Sequence, residues 1–163
     1  MAKRVITKIG DIFCVKVNNH HKRYLQYIIC DQTCLNSDVI RVFMEKYPID
    51  ACPTLSDIVN GEVDFYSHCD IRTGIKKGLW EKVGHISNIG KIDHVIFKCK
   101  SDYTNVNIDN DWRIWKINNN ISHIGTLRGD SYMYAYLGLI FHPEDIIHKL
   151  KTGAYPGVFA KFE

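Results

Sequence analysis

GDIFCVKVNNHHKRYLQYIICDQTCLNSDVIRVF, running from Gly10 to Phe43, decides the fold class of this chain. Ile12 to Val17 and Arg23 to Cys30 are apolar runs of strand length. Asp38 to Phe43 alternates well enough for a third strand, because side chains along a strand point to opposite faces in turn. The connections, Asn18-Asn19-His20-His21 and Asp31 to Ser37, are short and polar. Short links join antiparallel neighbours, whereas parallel ones need a long crossover. The chain therefore opens as an antiparallel meander, a scaffold used for recognition more often than for catalysis.

Beyond the meander, Tyr47-Pro48 and Cys52-Pro53 interrupt the pattern, since the residue before a proline avoids helical backbone. Thr54 with Asp57 forms a weak capping box for a short helix through Val59, ended at Asn60-Gly61. Val63 to His68 reads as another strand. Asp70 caps a second short helix, Ile71 to Lys77, with Gly78 placed to end it. Gly74 inside that helix costs about 1 kcal/mol against alanine. Leu79 to Val83 and His94 to Cys99 are extended, and Ser101 to Asp111 is a long aperiodic loop. Trp112 to Ile117 and Ile121 to Leu127 pair as a hairpin across Asn118-Asn119-Asn120.

Tyr132 to Phe141 reads as the last strand, with Tyr132, Tyr134 and Tyr136 on one face. The last helix, His142 to Thr152, has Pro143 at its first position. Glu144 and Asp145 lie in its first turn, Lys149 and Lys151 in its last, and Gly153 stands beyond. The expectation is one α+β domain over residues 1–163: a mainly antiparallel sheet, a few short helices and a docked C-terminal helix.

At 163 residues the chain suits a single core, and 45% hydrophobic with 24% charged residues is ordinary for a globular protein. No stretch nears the roughly 20 apolar residues of a membrane span. The basic start, Met1 to Lys8, lacks an apolar segment of the secretory kind, so a cytoplasmic location is expected. A net charge of +3 is too small to name a partner. The tightest basic group, Arg72, Lys76, Lys77 and Lys82, reads as a solvated face and not as a nucleic-acid footprint. Six cysteines in such a chain are expected as reduced thiols, with Cys14 and Cys30 acting as small core hydrophobes. Cys30 and Cys34 form the only close pair, and Cys52, His68 and Cys69 offer no second pair at zinc spacing. No metal and no cofactor is expected.

No phosphate loop, zinc-protease motif or serine elbow is present. Acid–base work would need two titratable groups with separated pKa values. Asp38 with Arg41 and Asp64 with His68 are the candidates. Alternation puts Asp64, Tyr66 and His68 on one strand face, as a catalytic stripe, a binding surface or a plain solvated face. The loop from Asp102 to Asp111 carries Asp102, Tyr103, Asp109 and Asp111 without lysine or arginine. It could steer a basic partner while Tyr103 anchors it, or its acids could merely satisfy turns. Trp80, Trp112 and Trp115 are expected in the core. The tyrosine row at 132, 134 and 136 is expected half exposed, where tyrosine suits an interface.

Several segments read in order resemble immunity protein 26, a bacterial family of polymorphic toxin systems. They are Gly10-Asp11-Ile12-Phe13, Tyr24-x-Gln26-Tyr27-Ile28, Ser37 to Phe43 and Val63-Asp64-Phe65-Tyr66-x-His68. Gly74-Ile75-Lys76-x-Gly78 to Gly84 and Trp112-x-x-Trp115-Lys116-Ile117-Asn118 follow. The resemblance spans most of the chain from Gly10 onward. It implies a cytoplasmic protein that protects its producer by binding a cognate toxin, without catalysis or cofactor. It transfers no set of binding residues. A nucleic-acid-associated module and a small enzyme using Asp64 and His68 are the competing classes.

Overall fold

The computed structural model describes residues 4–163, and the meander is where the sequence puts it. Strand β1 (Asp11–Lys16) pairs antiparallel with β2 (His21–Asp31), and β2 with β3 (Ser37–Phe43). Strand β4 (Tyr47–Pro48) adds a short pairing to the start of β2. Helix α1 (Leu55–Asn60) leads into β5 (Val63–Cys69), antiparallel to β3. Helix α2 (Ile71–Lys76) then leads into β6 (Glu81–His85), which lies along the far side of β1. A second sheet holds β7 (Ile96–Cys99), β8 (Trp112–Lys116) and β9 (Ser122–Gly125). After α3 (Asp130–Met133), β10 (Tyr136–Leu137) joins β7 in the second sheet. Strand β11 (Ile140–Phe141) joins β5 in the first. Helix α4 (Pro143–Thr152) and a 3-10 turn (Gly157–Phe162) follow. The first sheet runs β11-β5-β3-β2-β1-β6 with β4 beside β2, and the second β10-β7-β8-β9. The α+β class holds, with two mostly antiparallel sheets. Among the described residues, no helix is long and apolar enough to cross a membrane.

Both faces of the first sheet are covered, which is why β2 stays buried along most of its length. One face, with Phe13, Leu25, Ile40, Val42 and Phe65, packs against Trp80, which follows α2, and against Ile146 and Leu150 of α4. Ile146 and Leu150 are essentially fully buried, worth about 1.5–3 kcal/mol each. The opposite face divides. At one end Ile28, Val39 and Tyr66 meet Phe97 and Trp115 of the second sheet. At the other, Ile12, Tyr24 and Phe43 meet Ile58 and Val59 of α1.

Between these two clusters sits a buried polar bridge. Arg41 donates from Nε to Gln26 Oε1 at 2.8 Å, and Gln26 donates to the carbonyls of Gly10, Ile86 and Asn88. Arg41 also donates to the Asn88 carbonyl. It is thus tied to Gln26, and the Asp38–Arg41 pairing considered from sequence does not form.

The helix-end signals were sound. Thr54 accepts from the Asp57 amide, Asp70 from Thr73, and α4 begins on a His142/Asp145 capping box. It ends on Gly153 at φ 89°, a left-handed position that suits glycine. Three expectations are corrected. Tyr132 to Phe141 is not one strand. Gly138 lies where the Trp115 ring would overlap any Cβ, and there the chain crosses from one sheet to the other. Cys14 and Cys30 are only half-buried, whereas Cys34 and Cys69 are the buried thiols. Gly74 is not a flaw in α2, because Trp80 packs where its Cβ would be. All three tryptophans are core residues, each about 3% exposed.

Candidate functional site

Asp64, Tyr66 and His68 do share a face of β5, as alternation requires, but the second sheet lies over that face. His68 is wholly buried and Tyr66 nearly so, while Asp64 is exposed. The stripe is therefore not an open binding surface, and its acid and imidazole do not meet. Asp64 Oδ2 accepts from Arg23 Nη2 at 2.6 Å. Arg23 also donates to the Phe43 carbonyl.

His68 belongs instead to a closed network around Asp31. Its Nε2 donates to Asp31 Oδ2 at 2.9 Å, and so does Trp115 Nε1, also at 2.9 Å. The other carboxylate oxygen accepts from the amides of Asn118 and Cys34. Burial pushes the Asp31 carboxyl up, but these donors outweigh it and hold it below the usual carboxylate range. His68 Nδ1 is buried without a hydrogen-bond partner. A bare acceptor there is less costly than an unpartnered N–H, so the ring is neutral, and burial lowers its pKa despite Asp31. With no solvent access and the carboxylate saturated, the cluster joins sheet to sheet: His68 sits on β5, Trp115 on β8. It has no route to a substrate.

The acidic loop leaves Asp102 and Asp109 exposed, while its carboxylates also accept hydrogen bonds within the loop and from β8. Asp102 accepts from the Thr104 amide and hydroxyl, and Asp111 from the Ser101 amide. Asp109 accepts from Trp112 Nε1 at 2.8 Å. Tyr103 does not project as an anchor. It packs edge-on against Trp112, Phe159 and Phe162, and burial pushes its phenol up to about 12. The loop folds around Lys100, which is 5% exposed and donates to the carbonyls of Asn105 and Ile108. Its ammonium lies over the Trp112 and Phe162 rings.

An open apolar feature lies just before β10, where the chain returns to the second sheet. Tyr134 is 80% exposed and Met133 54%, forming a ridge at the end of α3. The buried ammonium of Lys98 fixes this ridge by donating to the Met133 carbonyl at 2.9 Å. On one side of the ridge is a recess of about 190 Å³, lined by Asp64, Tyr66, Tyr136, Lys149 and Glu163 among others. On the other is a more open hollow of about 300 Å³ beside His94 and Ile96. Tyr66 and Tyr136 meet edge to face at 5.3 Å, and His94 abuts Tyr66. Lys149 is held by Glu163 and lies 5.0 and 4.6 Å over Phe65 and Tyr155. Burial lowers its pKa.

So the structure gathers Asp64 and Tyr66 with Tyr134 and Tyr136 at one recess, apart from His68 and from Asp102, Tyr103, Asp109 and Asp111. The tyrosine row is partly exposed, although it is not a single strand. Asp31, Lys98 and Lys100 were not legible as special. The one signal available was a charge closing an apolar strand run, as Asp31 does at the end of β2. Among the described residues, no group of three or more His, Cys, Asp or Glu side chains is placed to hold a metal ion. No family model matches the chain, and neither a curated protein nor a solved structure does.

Proposed function

We propose that this protein is a cytoplasmic immunity protein that neutralises a cognate polymorphic toxin by binding it, with no catalysis of its own. The observation that carries the reading is the Met133–Tyr134 ridge beside a recess of about 190 Å³. Small-molecule sites run to roughly 300–1,000 Å³. A recess below that range holds about one amino-acid side chain, and an exposed tyrosine beside it is a typical interface anchor. The sequence resemblance supplies the kind of partner. The saturated Asp31–His68 cluster supports recognition over chemistry, because its polar groups are used in holding the two sheets together.

The test pairs this protein with a secreted toxin encoded by a neighbouring gene; a neighbourhood without one counts against the reading. Co-expression should restore growth to cells carrying that toxin, and the purified pair should form a complex. Tyr134→Ala and Met133→Ala should each weaken that complex by about tenfold or more. Both side chains are exposed, so the melting temperature should hardly move. Failure of the wild-type protein to bind or neutralise the toxin would refute the reading.

A further inference from the structure

The recess beside Tyr134 is built to receive a cation, and we infer that it takes an arginine side chain presented by the protein partner. This rests on the protein-binding reading above and adds the chemistry of the contact. Aromatic side chains line the recess: Tyr66, Tyr134 and Tyr136, together with Phe65 and Tyr155, whose rings already carry the Lys149 ammonium. The charges already present cancel in pairs: Arg23 with Asp64, and Lys149 with Glu163. One polar capacity is left over. Asp64 uses Oδ2 for Arg23, while its Oδ1 carries no hydrogen bond among the described residues. That side chain is 35% exposed, so the oxygen can be reached.

Two further hydroxyls, of Tyr66 and Tyr136, have no hydrogen bond to any described residue, yet neither is sealed from solvent. A group that stacks on aromatic rings while donating to a carboxylate and two phenols is planar, cationic and rich in N–H. A guanidinium meets all of these demands; an aliphatic side chain would leave the oxygens unanswered. The protein already holds one cation in this way, since Lys149 lies over two rings with an acid beside it.

The test uses the isotope-labelled full chain and three small probes followed by amide chemical shifts. The probes are N-acetyl-arginine amide, N-acetyl-norleucine amide and N-acetyl-glutamine amide, titrated into the millimolar range expected for a single anchor. The arginine probe should shift the amides of Asp64, Tyr66, Tyr134 and Tyr136, and bind at least about tenfold tighter than either neutral probe. Asp64→Asn, which keeps an acceptor toward Arg23, should reduce that preference. Tyr134→Ala, at an exposed position, should weaken the arginine probe without altering the fold. Equal or tighter binding of the norleucine probe overturns the inference. So do shifts clustered elsewhere, no arginine-induced shifts, or an unchanged Tyr134→Ala variant. A toxin neutralised without any arginine binding refutes the cation recess alone. Arginine bound by a protein that neutralises no toxin refutes the immunity reading alone.

Discussion

Replacing Asp31 with Asn should cost about 3–5 kcal/mol of stability, far more than the loss of one atom's charge would on the surface. The carboxylate accepts four N–H groups at 2.9–3.3 Å, from His68, Trp115, Asn118 and Cys34. An amide keeps one acceptor oxygen and turns an NH2 toward the remaining donors. Two charge-assisted bonds are lost, at roughly 1.5–3 kcal/mol each, and no water can replace them in a fully buried site. Removing a buried charge offsets part of this, which sets the middle of the range. The His68 ring could answer by changing tautomer. That would place its proton on Nδ1, which has no partner. Trp115 cannot respond, because its indole only donates.

Urea denaturation at pH 7.5, followed by far-ultraviolet circular dichroism, measures the loss. Domains of this size have only about 5–15 kcal/mol in all, so the variant should sit near its threshold. Trp115→Phe, which removes one donor, should cost about 1.5–3 kcal/mol, and the double variant should fall short of the sum. Hydrogen exchange should quicken first in β7 and β8. A loss below about 1 kcal/mol for Asp31→Asn would show that the network does not hold the sheets together.

Gly74→Ala should destabilise by roughly 1–3 kcal/mol although alanine is the better helix former, because its methyl would meet the Trp80 ring; a stabilised variant would disprove the packing. His68 is neutral when folded, with its pKa below the unfolded value of 6.5. The unfolded chain therefore takes up a proton that the folded one refuses, so stability should fall as pH drops below about 6.5. The slope from this residue is at most about 1.4 kcal/mol per pH unit, and His68→Gln should remove it from urea midpoints measured between pH 7.5 and 5. Asp31 and Asp11 are both held below the usual carboxylate range by their partners, so a second loss should appear only as pH falls below about 4. Lys100→Met should loosen the loop it centres, read as faster proteolysis between Ser101 and Asp111; unchanged cleavage would rule out its role.

Strand runs, caps and the last helix were legible because they rest on local rules. Alternation marked β1 to β3, and side-chain oxygens marked the starts of α1 and α2. The proline, acids, bases and Gly153 of α4 agree with one another. The same alternation placed Asp64, Tyr66 and His68 on one face correctly. What local rules cannot say is what lies over a face. A polar stripe reads the same whether water or a second sheet covers it, and here Phe97 and Trp115 do. The long loop keeps Asp102 and Asp109 exposed, as its composition suggests, but no sequence signal showed that it folds around Lys100, which donates to its Asn105 and Ile108 carbonyls.

The α+β class, the meander, the helix ends and the burial of the three tryptophans follow from neighbours within a few residues, so each can be read along the chain. Long-range packing makes Asp31 a hub, gives Gly74 and Gly138 the task of making room for indole rings, and divides Tyr132 to Phe141 between two sheets. The same packing brings Asp64 and Tyr66 to Tyr134 at a recess while sealing His68 away. Each of these depends on contacts between residues far apart in the chain, as with the 84 positions separating Asp31 from Trp115, and such contacts leave no period in the sequence to read.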